Sequence, residues 1–461
     1  MKHYDAIVIG AGQAGGPLAK KLALSGKKTA LIEKRWIGGT CVNDGCTPTK
    51  TMIASAKMAY QAANSAPLGV KIKNYSVDLQ KIKKRKDDIV HLFRNGSQKG
   101  LESTKNLDII FGEATFTGEK AISVKLNSGR EKEFGADLFF INTGAKTVVP
   151  EIAGLQEIDY LTSTTILDLE EVPEHLLILG GNYIGLEFGQ MFSRFGSKVT
   201  ILEKSERIVS REDEDISVAL TKIFKAEGIT IHPQTIATGF KKKASGKITV
   251  TVSVNGKEEK IKCSHVLVAV GRKPQTETLN LQKAGIEIDE HGSIRVNNKL
   301  ETSAAGIYAL GDVKGGPAFT HISYNDYTIV YRNLLEGGKL SIADRPVPYC
   351  MFTDPQLGRI GLSETEAKKR GINYKVAKLP MENVARAIET GDTRGFMKAI
   401  VDTDTKQILG AAILGPEGGE TMTVLQMAMA GGLTYEQVRY FVFAHPLFAE
   451  SLNNLFMTLE G

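Results

Sequence analysis

The chain has 461 residues, more than the ~250 to 300 at which a single hydrophobic core stops growing, so several domains are expected. A hydrophobic content of 42% is ample for packed cores, and 47 glycines beside 7% aromatics suit tight backbone turns around ligands. The net charge of +6 is spread out and forms no nucleic-acid footprint. Its densest run, Lys81 to Lys86, is interleaved with Leu79, Ile82, Ile89 and Phe93 at helical spacing and reads as the solvated face of an amphipathic helix. Lys241 to Lys243, between strand-like segments, reads as a loop. No uninterrupted apolar stretch reaches the ~20 residues that span a bilayer. The first apolar run ends in Gly10-Ala11-Gly12, with charges at Lys20 and Lys21, which does not suit a secretion signal. A cytoplasmic protein that engages neither nucleic acid nor membrane is expected.

Residues 4 to 9, Tyr-Asp-Ala-Ile-Val-Ile, read as a short buried strand. Gly10-Ala11-Gly12-Gln13-Ala14-Gly15 follows directly and opens a helix through Leu24, after which the strand Thr29 to Ile32 ends in Glu33. This is a dinucleotide fingerprint with its context intact. Gly10, Gly12 and Gly15 let the backbone approach a pyrophosphate, the helix N-terminus favours its charge, and Glu33 can accept from a ribose hydroxyl.

The next stretch, Gly38 to Lys50, holds two of the four cysteines, Cys41 and Cys46. On an ideal helix they would lie ~7.5 Å apart along the axis and ~140° around it, whereas a disulfide needs Cα atoms ~4.4 to 6.8 Å apart. A bridge therefore requires irregular backbone, which Gly45 permits. Pro48 predicts a helix that starts just after Cys46, with Thr47 as its cap, and runs to about Ala63. A helix N-terminus favours thiolate over thiol, as a redox-active cysteine requires. The two residues also fit a pair of structural thiols or half of a metal site, although metal pairs more often use tighter spacing and no further ligands stand nearby. A reducing compartment favours a catalytic pair. Cys263 and Cys350 stand alone and read as packing or surface thiols.

The basic amphipathic helix follows, then strand-like segments Leu107 to Phe111 and Ala121 to Leu126, with a turn at Asn127-Ser128-Gly129. A buried strand, Leu138 to Asn142, runs into Thr143-Gly144-Ala145, and Pro150 marks a boundary. A second cycle begins with the strand Leu176 to Leu179. It continues through Gly180-Gly181-Asn182-Tyr183-Ile184-Gly185, a helix to Phe195, and a strand Val199 to Leu202 that ends in Glu203. The interval from Gly185 to Glu203 repeats that from Gly15 to Glu33, so a second dinucleotide site is expected. Asn182 replaces the middle glycine and tolerates unusual backbone angles better than most residues. An acid at Glu203 accepts from the free 2′-hydroxyl of NAD and repels a 2′-phosphate, which favours NADH over NADPH; Lys204 and Arg207 keep NADPH open. The cycle closes with the hairpin signal Asn255-Gly256 and a strand Val266 to Val270 that ends at Gly271.

The spacing Gly-Gly-Thr-Cys-x4-Cys-x-Pro-x-Lys, from Gly38 to Lys50, resembles the active-site segment of the class I, FAD-dependent pyridine nucleotide-disulfide oxidoreductases. That class contains dihydrolipoyl dehydrogenase, glutathione reductase and mercuric reductase. Thr302-x4-Ile307-Tyr308-Ala309-Leu310-Gly311-Asp312 is similar to the family's second FAD motif, whose aspartate bonds the ribityl chain. Ala444-His445-Pro446-Leu447-Phe448-Ala449-Glu450 is similar to its C-terminal signature. The resemblance implies an α/β fold with two Rossmann-like dinucleotide-binding domains plus a C-terminal α+β dimerisation domain. FAD would take 1-149 and 275-345, NAD(P) 150-274, and the dimerisation domain 346-461, whose composition shifts near Phe352-Thr353-Asp354-Pro355. Gly39, Thr40, Lys50, Thr143, Gly144, Gly311 and Asp312 would join the first fingerprint and Glu33 at FAD. Gly271 would join Gly180, Gly181, Tyr183, Ile184, Gly185 and Glu203 at NAD(P).

The chemistry so implied is a relay from reduced nicotinamide through FAD to a Cys41–Cys46 disulfide and on to a small thiol-reactive acceptor. Cys46 would stay near the flavin as thiolate, and Cys41, the more accessible, would attack the acceptor. Lys50 and Glu187 would pair beside the flavin's reactive edge, and Tyr183 would be the lid that moves for nicotinamide. His445, oriented by Glu450, would reach across a homodimer interface to handle the proton. Thr47-Pro48-Thr49-Lys50 and Ser451 to Phe456 look most like the mercuric reductase-like branch. Against true mercuric reductase, no cysteine follows Cys350, and His445 stands where those enzymes tend to carry tyrosine. Dihydrolipoyl dehydrogenase or another low-molecular-weight disulfide reductase is the alternative within the family. That enzyme usually has a second histidine where Phe443 stands, and Asp44 is unusual for it because its charge would oppose thiolate formation. The alternative of another class is a flavin- and nicotinamide-binding subunit with a sensing or assembly role, and the intact set of Cys41, Cys46, Lys50, Glu187 and His445 argues against it. No resident metal is expected.

Overall fold

The computed structural model describes residues 1–254 and 256–460; Asn255 of the hairpin signal lies outside them. The chain divides into two compact units. One comprises Met1–Thr51, Lys83–Val148 and Gly271–Arg345, the other Met52–Ile82, Val149–Val270 and Pro346–Gly461. Among the described residues no helix is long and apolar enough to cross a membrane.

In the first unit the strand Lys2–Ile9 is central. Ala6, Ile7 and Val8 are fully buried, as a strand covered on both faces requires, which is why it reads as a continuous apolar run. Thr29–Glu33 pairs with it on one side and Glu131–Ile141 on the other; Leu107–Gly118 lies beyond the former and Ile307–Ala309 beyond the latter, all parallel. Leu107–Gly118 and Glu131–Ile141 run longer than their apolar stretches suggest. Their far halves pair antiparallel with Ala121–Leu126, and there Phe116, Ile122, Val124 and Phe134 build a core while the exposed Glu131, Lys132 and Glu133 hide the strand from a hydrophobicity reading. Leu18, Ala19 and Leu22 of the helix Gly15–Leu24 pack on the sheet. The sheet thus delivers three loops to one edge, at Gly10, Asn142 and Gly311.

The second unit repeats the plan. His175–Leu179 lies between His265–Val268 and Lys198–Leu202, with Thr230–His232 outside, all parallel. An antiparallel meander, Thr235–Lys242, Ile248–Val254 and Lys257–Cys263, follows. The C-terminal part is an antiparallel sheet in the order Tyr349–Met351, Gln356–Gly361, Ile408–Gly415, Phe396–Asp402, Tyr374–Pro380, on which the helices Gly418–Ala430 and Ser451–Met457 pack.

One buried charge cluster in this unit is a stability element. Lys398, 3% exposed, pairs with Asp213 at 3.1 Å, Asp215 at 3.2 Å and Glu364 at 2.7 Å. Burial works against the charge on Asp213, but the amides of Thr365 and Glu364 and the Lys398 charge hold its carboxyl down at about 2. At neighbouring Glu212 burial wins. Its carboxyl is pushed up to about 7 despite Arg359, with Asp213 adding to the rise, and the Tyr349 hydroxyl donates to it. Because the folded-state value exceeds the ordinary carboxyl value of 4.5, folding favours the protonated form. That contribution is fully present below the unfolded pKa and is lost as pH rises through about 7. A rise of this size corresponds to about 3 kcal/mol. The melting temperature of the protein should therefore fall between pH 5 and pH 8, and Glu212→Gln should flatten that dependence.

Candidate active site

Backbone crowding at the first fingerprint explains its glycines. Gly10 has φ +101°, and a Cβ on Gly15 would stand 2.0 Å from the Gly10 carbonyl oxygen, so only glycine lets the turn close onto the start of the helix. Asn142, read from sequence only as the end of a strand, ties the three loops together. Its Oδ1 accepts from the Gly15 amide at 2.9 Å and its Nδ2 donates to the Leu310 carbonyl at 2.8 Å. Asp326, fully buried, accepts from the Gly311 amide at 2.8 Å and pairs with Arg345 at 2.5 Å and Lys314 at 3.4 Å. Neither residue carried a motif signal: Asn142 was visible only by its place before Thr143-Gly144, and Asp326 reads as one polar residue within a helix. Glu33 accepts from the Ala11 and Arg35 amides, each at 2.8 Å, and its carboxylate retains lone pairs for a ribose hydroxyl. Burial pushes the Asp312 carboxyl up, while Arg272 and Lys314 oppose the rise. Thr143 donates to the Gln275 carbonyl at 2.8 Å. Gly144, at φ +71°, has open space where a side chain would be.

The cysteine segment rests on this loop. A Cβ on Gly39 would stand 2.7 Å from Gly12 Cα, the Gly38 amide donates to the Ala11 carbonyl at 2.9 Å, and Gln13 Nε2 donates to the Gly38 carbonyl at 3.0 Å. Cys41 lies in the one-turn helix Gly39–Asn43 and Cys46 is the first residue of the helix Cys46–Ala63, so the irregular backbone expected between them is Asp44-Gly45. Thr47 is not the cap. The helix starts with the Thr49 amide donating to the Gly45 carbonyl at 3.0 Å, and Pro48 is tolerated because the first four helical amides have no internal partner. Behind the segment, Asn43 Nδ2 donates to the Ile37 and Gly39 carbonyls, and its Oδ1 accepts from Arg94 at 2.6 Å, whose guanidinium lies 4.3 Å from the Trp36 ring.

Cys46 is exposed and Cys41 half-buried, and neither sulfur is bonded to another. Adjacent Cys46, then burial, pushes the Cys41 thiol up, while Thr320 and Lys50 pull it back. Two neighbouring thiols share one negative charge, and the Cys46 Sγ is 3.3 Å from Thr320 Oγ1. Asp44 is ion-paired with Arg35, which offsets the carboxylate that the sequence sets against thiolate formation.

In the second unit the fingerprint has the same anatomy. A Cβ on Gly185 would stand 2.0 Å from the Gly180 carbonyl oxygen, and Glu203 accepts from the Gly181 and Ser205 amides, each at 2.7 Å. Asn182 needs no unusual backbone: at φ −102° and ψ 179° it is extended, and its side chain caps the helix Tyr183–Arg194 by accepting from the Tyr183 amide. That helix also carries Ile184. Glu187, on the same helix, is buried and accepts from the Phe352 amide at 2.8 Å. Gly271, expected beside Gly180 to Gly185, belongs to the first unit, where its carbonyl accepts from the Val148 amide at 3.0 Å. His445 is exposed, with Nδ1 3.0 Å from both oxygens of Glu450. A proton on Nδ1 would point at the carboxylate and leave Nε2 as the basic nitrogen.

Residues 4–326 match the family model described as pyridine nucleotide-disulphide oxidoreductase, and residues 347–456 match that family's dimerisation domain. The chain belongs to the pyridine nucleotide-disulphide oxidoreductase family. Members of this family are FAD-dependent enzymes that use a pyridine nucleotide, and the dimerisation domain indicates homodimers within it. Among relatives, the chain is 40% identical to the probable pyridine nucleotide-disulfide oxidoreductase RclA of Escherichia coli (strain K12), over 100% of both chains. It is 37% identical to a mercuric reductase of Staphylococcus aureus, over 99% of this chain and 82% of that one. With a dihydrolipoyl dehydrogenase of Thermus scotoductus it shares 35% identity, over 98% of this chain and 96% of that one. A solved structure titled as a Cu(II) complex of the HOCl-induced flavoprotein disulfide reductase RclA from Escherichia coli superposes with a TM-score of 0.91 at 39% identity, covering 99% of each chain.

Asn142→Ala tests the tie between the loops in this oxidoreductase. It leaves the Gly15 amide and the Leu310 carbonyl without their partner, at a cost of about 3 kcal/mol. The expected outcome is FAD release at a lower temperature in a flavin-fluorescence melt.

Proposed function

We propose that the chain reduces a small thiol-reactive acceptor, drawing two electrons from a reduced nicotinamide nucleotide and delivering them through FAD to the Cys41–Cys46 pair. The observation that carries this reading is the seating of the cysteine segment on the first fingerprint, Gly39 against Gly12, which brings a pair of sulfurs to the loop that would hold FAD. The fit for FAD is supported by the tight glycine turn at Gly10, Gly12 and Gly15, which admits no side chain, and by the open space beside Gly144. Glu33 would bind the ribose, Asp312 the ribityl chain, and Gly39, Thr40, Lys50, Thr143 and Gly311 the remaining contacts. When bound, FAD supplies the two-electron coupling between nicotinamide and disulfide. The domain plan follows: 1-149 and 275-345 for FAD, 150-274 for NAD(P), 346-461 for dimerisation, in a cytoplasmic homodimer.

Reduction breaks the Cys41–Cys46 bond; two electrons and one proton leave Cys41 as thiol and Cys46 as thiolate, and Lys50 and Glu187 would hold the flavin's reactive edge. Nε2 of His445 of the partner subunit takes the proton from Cys41, whose sulfur attacks the acceptor. For a disulfide acceptor this forms a mixed disulfide and expels one thiolate, to which His445 returns the proton. Cys46 then attacks Cys41, expelling the second product as thiolate and restoring the bond, so the acceptor disulfide leaves as one thiol and one thiolate. Tyr183 would cover the nicotinamide pocket, with Gly180, Gly181, Ile184, Gly185 and Gly271 around the nucleotide. NADH is favoured, because Glu203 is held as Glu33 is, by the fingerprint amide and the residue two positions on, and a 2′-phosphate there would meet a fixed carboxylate. The RclA relative brings two further candidates: oxidants of the hypochlorous acid type, and Cu(II) as an ion to be reduced or bound.

An anaerobic titration with NADH and with NADPH tests this. NADH should be the better reductant, with two hydride equivalents taken up per FAD and a long-wavelength thiolate-to-flavin band on the way, and Cys46→Ser should abolish the band. Bleaching of the flavin without new thiols would refute the relay. Turnover with oxidised lipoamide, glutathione disulfide, mercuric ion, Cu(II) and hypothiocyanite then ranks the acceptors.

A further inference from the structure

The relay as derived uses two sulfurs, a lysine and an imidazole, and assigns nothing to the hydroxyl that touches Cys46. Thr320 is the first residue of the 16-residue helix Thr320–Leu335, and its Oγ1 lies 3.3 Å from Cys46 Sγ. It belongs to no motif read from the sequence. We propose that Thr320 is a catalytic residue of the redox pair, donating its hydroxyl hydrogen to the Cys46 sulfur when that sulfur is the thiolate. This rests on the reading of Cys41 and Cys46 as the redox pair.

The direction of the bond decides its effect. A hydroxyl donates or accepts, but a thiolate only accepts, so in the reduced, ionised state Thr320 must be the donor. A hydrogen bond to an ion is about twice as strong as one between neutral groups, and a disulfide sulfur is a weak acceptor. The contact therefore favours the thiolate over both the thiol and the disulfide. It makes Cys46 a stronger acid and makes the pair easier to reduce.

The surroundings support an orienting role. Phe319 and His321, on either side of Thr320, stack with ring centroids 5.4 Å apart and planes 13° apart, and the Ser323 amide donates to the Phe319 carbonyl at 3.0 Å, so the helix start is held. Threonine has a stiff χ1. Beside the sulfur pair stand Lys50, one turn along the helix of Cys46, and Thr320 from the helix Thr320–Leu335. Thr320 is a neutral donor, and its hydroxyl can serve the thiolate without itself titrating.

Thr320→Val removes the hydroxyl and keeps the shape; Thr320→Ser restores the hydroxyl without the methyl. The holoenzymes, shown to carry equal FAD, are reduced anaerobically with NADH, and iodoacetamide alkylation of Cys46 is followed across pH by peptide mass spectrometry. Thr320→Val should raise the pH midpoint of Cys46 alkylation by about one pH unit, a tenfold loss of acidity, and weaken the long-wavelength band at fixed pH. Thr320→Ser should return both to wild type. If wild type gains thiols but its midpoint is unchanged in Thr320→Val, the role of Thr320 is refuted while the redox pair stands. If wild type gains no thiols at all, the redox reading falls and this inference with it.

Discussion

The rest of the site depends on one close approach. Gly39 can carry no side chain, because a Cβ there would stand 2.7 Å from Gly12 Cα. Two backbones, one shaped for a pyrophosphate and one holding a cysteine pair, therefore lie in contact. Asn142 secures the arrangement by spending both ends of its amide on the Gly15 and Leu310 backbones. A bulkier residue at position 39, or a shorter one at 142, would separate the sulfurs from the loop without touching either sulfur.

The second principle is repetition. In each half a strand ends in a glycine with positive φ, Gly10 or Gly180, a helix begins at a glycine whose missing side chain admits the turn, and an acid at the end of the next strand accepts from the fingerprint's second amide. The acid thus has a structural duty before it meets any ribose. It fixes the loop, and a carboxylate already oriented by two amides is a preorganised acceptor for a hydroxyl and a fixed repulsion for a phosphate.

Residues whose geometry is set by backbone were legible in the sequence: Gly10, Gly12, Gly15, Gly180, Gly185, the cysteine spacing, and the acids Glu33 and Glu203 all announce themselves by type and interval. His445 and Glu450 needed the resemblance, since a histidine before a proline carries little signal alone. Asn142, Asp326 and Thr320 were not legible, because each acts through partners distant in the chain, Leu310, Gly311 and Cys46 respectively. The helix begins at Cys46, two residues before the start that a Thr47 cap implies, since the proline rule tolerates any place in the first turn. The charge of Asp44 opposes thiolate formation when the motif is taken alone, because its partner Arg35 precedes the motif. The strands Leu107–Gly118 and Glu131–Ile141 were read short where one face turns to solvent.

Charge distribution gives the cysteine pair its order. Cys41 is disfavoured as an anion by Cys46 and by burial, Cys46 sits at a helix start beside a hydroxyl, and Asp44 is compensated. On the relay proposed above, one sulfur would hold charge and the other would react. The most direct test of this account is differential alkylation of the anaerobic holoenzyme before and after a stoichiometric addition of NADH, read by peptide mass spectrometry at all four cysteines. Cys41 and Cys46 should become reactive together only after NADH, with Cys263 and Cys350 unchanged. Labelling of Cys41 and Cys46 that does not respond to NADH, or a response confined to Cys263 or Cys350, would contradict it.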